Sequence, residues 1–189
     1  MVLNEKKIQL FPEQMISQTF NRFGYLWDVT EKPKTHRTIK PVEFECDGKT
    51  MISTIWQPNA GGKFNDLERH SAVSQGFVQL SGEQAIVCVA PPTDITDRYA
   101  IPDTESVRAF VINPDVGFAF RKGTWHSLNR HILLGAGATF LIFNSEPNPT
   151  EMINYSTGKG TSYSNLGSEN GIEVFQHAGK FGVSFEIII

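Results

Sequence analysis

The chain has 189 residues, of which 40% are hydrophobic and 20% charged, with 14 Phe and a formal charge of -3. This is enough chain for one domain of ordinary size, too apolar and aromatic for disorder and too interrupted for a membrane span. No Lys/Arg stripe is present to neutralise a row of phosphates, which argues against nucleic acid as a partner.

The first residues, MVLNEKKIQLFPEQ, hold no apolar run like the core of a signal peptide, which predicts the cytoplasm. A short strand is expected at Ile8–Phe11. Pro12 suits a helix's first turn, and Ile16, Phe20 and Phe23 recur at helical spacing before Gly24, which predicts one amphipathic helix. From Tyr25 to Pro41 the chain is polar and interrupted by Pro33 and Pro41, and reads as a long irregular segment with a strand at most.

Beyond it come short β runs separated by Gly, Pro, Asn and Asp: Thr50–Gln57, Gln75–Leu80, Gln84–Val89, Val107–Ile112, Gly117–Phe120, Ala138–Phe143 and Val183–Ile189. That grammar predicts an all-β barrel or sandwich. Gly82 closes a tight turn and is expected at positive φ. Cys46 and Cys88 are the only cysteines, and Cys88 lies in the apolar run Ala85–Ala90, where a thiol behaves as a small hydrophobe; no disulfide framework is indicated. Residues 148–170, rich in Ser, Thr, Asn and Gly, read as a surface tail. The apolar terminal strand Val183–Ile189 then needs a partner, in a sheet or across a dimer interface. The whole is expected to be one domain: a helical and irregular segment over 1–49, a barrel core over 50–146, and a polar tail with a closing strand over 147–189.

Chemistry concentrates in two places. Glu68 and His70, two residues apart, share one face of an extended segment, and Gln75 can reach the same cavity from the adjoining strand. Some fifty residues later, Gly123-Thr124-Trp125-His126 offers a second imidazole on another β segment. A lone histidine is more often a hydrogen-bonded structural residue than a ligand, so the pairing of His70 with His126 carries the argument. His36, His131 and His177 have no partner pattern and are assigned to surface or packing.

These two segments keep the spacing of the paired cupin motifs: Glu68-x-His70-x4-Gln75-x6-Gly82, then Arg121-x-Gly123-x2-His126. More narrowly, Leu67-Glu68-Arg69-His70, Gln75-Gly76-Phe77, Val87-Cys88-Val89-Ala90, Arg108-Ala109-Phe110 and Gly123-Thr124-Trp125-His126 together resemble the ureidoglycolate lyase family. The resemblance spans about Ile8 to Asn144. It implies a cupin-type double-stranded β-helix, a jelly-roll barrel preceded by one N-terminal helix. It also implies a homodimer that cleaves ureidoglycolate to glyoxylate and urea, with one divalent metal ion and no organic cofactor.

On the residues' own terms, breaking such a C–N bond calls for a base, an acid and a cation for the substrate carboxylate. Glu68, His70, His126 and Lys122 are the catalytic candidates, and Glu68, His70, Gln75 and His126 the metal-ligand candidates. Arg69, Arg121 and Trp125 are the substrate-binding candidates, Trp125 through its indole N–H, and Lys122 is favoured to face inward because it shares the parity of His126. Two departures from the family's pattern stand out. Ser127-Leu128-Asn129-Arg130 replaces a segment that usually carries a Pro, and Asn144 stands where an Asp is typical. The rival readings are a non-catalytic cupin that binds a sugar or small acid, and a metal-dependent oxygenase or isomerase on the same fold.

Overall fold

The computed structural model describes residues 6–189. Almost all regular structure is β: β1 (Lys6–Leu10), β2 (Glu13–Gln14), β3 (Gly24–Trp27), β4 (Lys49–Pro58), β5 (Lys63–Phe64), β6 (Asp66–His70), β7 (Gly76–Ser81), β8 (Ala85–Ala90) and β9 (Arg108–Ile112). There follow β10 (Gly117–Phe120), β11 (Trp125–Ser127), β12 (His131–Ile132), β13 (Gly137–Glu146), β14 (Thr150–Asn154), β15 (Lys159–Tyr163), β16 (Ile172–Gln176) and β17 (Val183–Ile187). One α-helical turn, α1 (Ser17–Phe20), and a short 3-10 turn at Thr104–Ser106 complete the list.

Two sheets face each other. One runs β3-β10-β7-β13-β4; the other runs β16-β15-β14-β6-β11-β8-β9-β2, with β12 beside β8. Between them lies an aromatic core of Phe20, Phe23, Phe77, Phe110, Phe118, Phe120 and Phe140, joined by Val87, Val89 and Ile132. Each such side chain contributes roughly 1.5–3 kcal/mol by leaving water. This is the cupin-type jelly-roll sandwich expected from the sequence.

The middle of the larger sheet, at β8, is buried on both faces. Val87 and Val89 of β8 look into the sandwich, while Ile86, Cys88 and Ala90 face a second core with Leu67, Trp125 and Ile153. A three-stranded sheet in the order β1-β17-β5 closes that second core with Ile8, Leu10 and Phe185. The terminal strand thus has its partners within the chain, pairing parallel with β1 and antiparallel with β5. Cys88 is 1% exposed and free, a packing residue as expected, and burial pushes its thiol pKa up.

Two expectations need correction. The N-terminal amphipathic helix is a single turn, because Glu13 and Gln14 pair in parallel with β9 and claim the residues a longer helix would need. Ile16 is accordingly 47% exposed and only Phe20 and Phe23 enter the core. The polar stretch after Asn148 is not a surface tail: β14 pairs along the whole of β6, and β15 and β16 extend the same sheet. Thr150, Ile153 and Tyr155 are buried there. Gly82 has φ of 96°, as its turn requires.

Candidate functional site

Strand alternation decides what the site contains. On β6, Leu67 and Arg69 face the outer core, so Glu68 and His70 project into the sandwich. β11 lies antiparallel beside β6, with His126 directly opposite Glu68, while its neighbour Trp125 faces outward. Cross-strand partners in such register have Cβ atoms roughly 4.5–5.5 Å apart. Glu68, His70 and His126 each offer one ligand atom, and these atoms lie within 4.8 Å of one another. The two imidazole rings are 5.3 Å apart between centroids.

Hydrogen bonds fix the histidine tautomers. Thr150 Oγ1 donates to the Asn148 carbonyl (3.0 Å), so toward His70 Nδ1, 2.8 Å away, it can only accept. His70 therefore carries its proton on Nδ1. His126 Nδ1 lies 3.2 Å from the Ser127 carbonyl, an acceptor only, so it too is protonated there. The Nε2 atom of each ring is left buried with no partner. Burial lowers the pKa of His70 to about 4 and that of His126 well below the ordinary value, the latter helped by His70 and Arg130. Both rings are neutral bearers of a lone pair at pH 7. Glu68 is shifted the other way: burial raises its carboxyl to about 7, partly opposed by Arg130. One of its oxygens sits 3.7 Å from His126 Nδ1.

Gln75 lies beside His70, where its side chain opposes part of the burial-driven lowering of the His70 pKa. Its amide nitrogen donates to Asn144 Oδ1 (2.9 Å), which leaves Gln75 Oε1 buried without a partner. Asn144 also accepts from Asn148 Nδ2 (3.4 Å). The residue that stands in place of a family aspartate thus orients Gln75.

The predicted cations and Trp125 are elsewhere. Arg69 is buried against the outer core, ion-paired with Glu151 at 2.5 Å and stacked over Trp125 at 4.8 Å. The Trp125 indole donates to Thr93, not into the cavity. Arg121 bonds the Asn21 carbonyl and Tyr25. Lys122 pairs with the exposed Asp47, because the turn at Gly123, with φ of 77°, breaks the parity that would have aimed it inward. Of the sequence candidates, Glu68, His70, Gln75 and His126 meet; Arg69, Arg121, Lys122 and Trp125 do not join them.

Sequence reading missed Arg130. It is 1% exposed, and its guanidinium lies over Phe77 at 4.8 Å and within 5.9 Å of Phe120, the ring stacked on His126. Burial lowers its pKa to about 10, so it remains a cation at neutral pH. It precedes β12 in a turn, where strand parity gives no signal.

A jelly-roll sandwich of cupin type, with two neutral imidazoles and a high-pKa carboxyl meeting inside it, is the class that fold and geometry define. Comparison with known proteins narrows the class. The family model described as ureidoglycolate lyase matches residues 29–161, and the chain belongs to that family. Among similar proteins named ureidoglycolate lyase, that of Pseudomonas syringae pv. syringae (strain B728a) is 42% identical over 105 residues, covering 56% of this chain and 52% of the relative. That of Azotobacter vinelandii (strain DJ / ATCC BAA-1303) is 42% identical over 60 residues, or 32% of each chain. That of Escherichia coli O9:H4 (strain HS) is 27% identical over 131 residues, covering 64% of this chain and 77% of the relative. The match thus spans about half the length of the first relative and a third of the second.

Proposed function

We propose that this protein is a C–N lyase that converts ureidoglycolate, or a closely similar hydroxy-acid derivative, to glyoxylate and urea. The observation that carries the reading is a pair of buried imidazoles, each with an unpartnered Nε2, that cluster with the Glu68 carboxyl in a chain of this family. The relatives' names supply the substrate class.

Cleavage requires that the substrate hydroxyl lose a proton as its C–O bond becomes a carbonyl, and that the departing ureido nitrogen gain one. Without an ion bound, the Glu68 carboxyl at about 7 is divided between base and acid near neutrality, so one carboxyl can take the first proton and return it to the nitrogen on the same carbon. His70 and His126 are too weakly basic for that work and act as neutral donors of a lone pair. Burial of His70, Gln75 and His126 keeps bulk water from these groups, which strengthens each electrostatic contact.

The donor set suits a divalent metal: two imidazole nitrogens, a carboxylate and the free Gln75 Oε1 are all N/O ligands, and three of these atoms otherwise stay unpartnered in a buried site. Glu68, His70 and His126, with Gln75 adjoining, would hold the ion, which when bound supplies Lewis-acid polarisation of the substrate's oxygens. Thr150 and Ser127 then keep both rings in the ligating tautomer.

A homodimer is part of the same reading. The five-stranded sheet ends on β4, a ten-residue edge strand whose outer face exposes Ile52 and Trp56 at 58% and 57%. A second copy would cover that face.

The test is to supply ureidoglycolate with a panel of divalent metals and follow glyoxylate. Turnover above background supports the lyase; none under any metal rejects it. The Gln75–Asn144 amide pair, which puts no carboxylate at position 144, favours one second reading, a cupin that binds small carboxylates without turning them over. Binding with no glyoxylate release would select it.

A further inference from the structure

The proposed substrate is an anion, yet the cations first considered for its carboxylate are engaged elsewhere. Arg69 is committed to Glu151, Lys122 to Asp47, and Arg121 to Asn21 and Tyr25. Arg130 is in the opposite situation. It is buried inside the sandwich, and no carboxylate among the described residues is close enough to form an ion pair with it. Its Nη1 donates to the Ser127 carbonyl at 3.0 Å, and its Nε has no partner at all. Glu68 acts on Arg130 through charge but forms no ion pair with it, so the buried guanidinium keeps an incomplete counter-charge, an unfavourable state that a ligand carboxylate would relieve.

The loop that carries it is held in place. Ser127 Oγ donates to the Asn129 carbonyl (3.0 Å), Gln57 Nε2 donates to the Leu128 carbonyl (3.4 Å), and β12 resumes pairing with β8 at His131. Arg130 is thus presented from a braced turn. The aromatic rings of Phe77 and Phe120 flank it, Phe120 also stacks on His126, and the guanidinium and the Glu68 carboxyl feel each other's charge.

We propose that Arg130 is the substrate-anchoring residue of this site, its guanidinium fork gripping the carboxylate of a small α-hydroxy acid while the hydroxyl-bearing carbon faces Glu68, His70 and His126. The assignment rests on the reading of the site as one for a hydroxy acid. It also gives a purpose to the altered segment after His126, which brings in a cation by a route of its own. A guanidinium–carboxylate pair in such a setting is bidentate and selects for charge.

The experiment compares glycolate with its neutral isostere glycolamide by isothermal titration calorimetry on the full chain in the presence of Mn2+, for the unaltered protein, Arg130→Met and Arg130→Lys. The unaltered protein prefers glycolate. Arg130→Met loses about 10- to 100-fold in glycolate affinity while its glycolamide affinity is unchanged, and its Mn2+ affinity does not fall, because the change removes a cation that acts on Glu68. Arg130→Lys, which keeps the charge without the fork, falls between and decides the matter should the Met variant not fold. Equal binding of the two ligands by the unaltered protein, or glycolate binding by Arg130→Met at the original strength, overturns the assignment. Because binding is read without turnover, the anchor and the lyase activity can fail separately.

Discussion

Arg69 and Arg130 are both buried arginines near the centre of the chain, and they are assigned opposite purposes, so replacing Arg69 is a sharp test. All three guanidinium nitrogens of Arg69 are partnered: Nε to Glu151, Nη1 to Thr93 and the Asp94 carbonyl, Nη2 to Glu151 and the Asp97 carbonyl. Thr93 in turn accepts the Trp125 indole and donates to the Ala100 carbonyl, so Arg69 ties the 93–100 loop to β6 and β14. Breaking a buried pair from one side costs about 3–5 kcal/mol. Glu151 keeps 20% side-chain exposure and can rehydrate, which places Arg69→Met near the lower end, at about 3 kcal/mol. With a typical urea dependence of about 2 kcal/mol per molar, the unfolding midpoint followed by tryptophan fluorescence falls by about 1.5 M. The KM for ureidoglycolate in the folded variant is unchanged. An unaltered midpoint with a raised KM would refute the structural role and return Arg69 to the substrate.

Other perturbations address the centre itself. Since burial lowers His70 to about 4 and holds His126 well below the ordinary imidazole value, proton competition for a metal comes from Glu68, whose carboxyl is raised to about 7. Mn2+ affinity by calorimetry should fall about tenfold for each pH unit below 7, and a flat profile over that range would contradict it. The same shift has a stability sign: Glu68 is protonated in the fold while ionised in the unfolded chain, so its contribution is full below the unfolded value of 4.5 and is lost as pH rises to about 7. Thr150→Val removes the acceptor that holds the His70 Nδ1 proton and should weaken Mn2+ binding by about 10- to 100-fold, with Thr150→Ser restoring it. Light scattering should give the mass of a dimer for the unaltered chain and of a monomer for Trp56→Glu; a monomer at every concentration for the unaltered chain would remove the β4 interface.

What the sequence disclosed follows from periodicity. Glu68, His70 and His126 were legible because both segments are strands, and a two-residue repeat fixes which side chains share a face whatever the fold's details. The run Ala85–Ala90 read as a buried strand for a related reason, being apolar on both faces. Where strands end, the logic fails. Lys122 was assigned inward by counting from His126 across Gly123, whose left-handed turn resets the count. Arg130 was overlooked because it sits in a turn, where a charged residue is usually solvated; only the braced Ser127–Asn129 loop carries it inside. β14 and β15 were hidden by composition, since Thr, Ser, Asn and Gly suit a surface loop, and the pairing of β14 with β6, which carries β15 with it, is a long-range choice no local window contains. The N-terminal helix was over-read for the same reason: residues 13–14 gain more from β9 than from helical continuity.

Everything proposed for this molecule depends on Glu68, His70 and His126 acting as one centre. Crystals soaked in Mn2+ and measured at the manganese absorption edge would test that at a stroke. An anomalous peak is expected within about 2.0–2.3 Å of one nitrogen from each imidazole and of the Glu68 carboxylate, with Gln75 Oε1 adjoining. A peak anywhere else, or none while the protein binds Mn2+ in solution, would contradict the account.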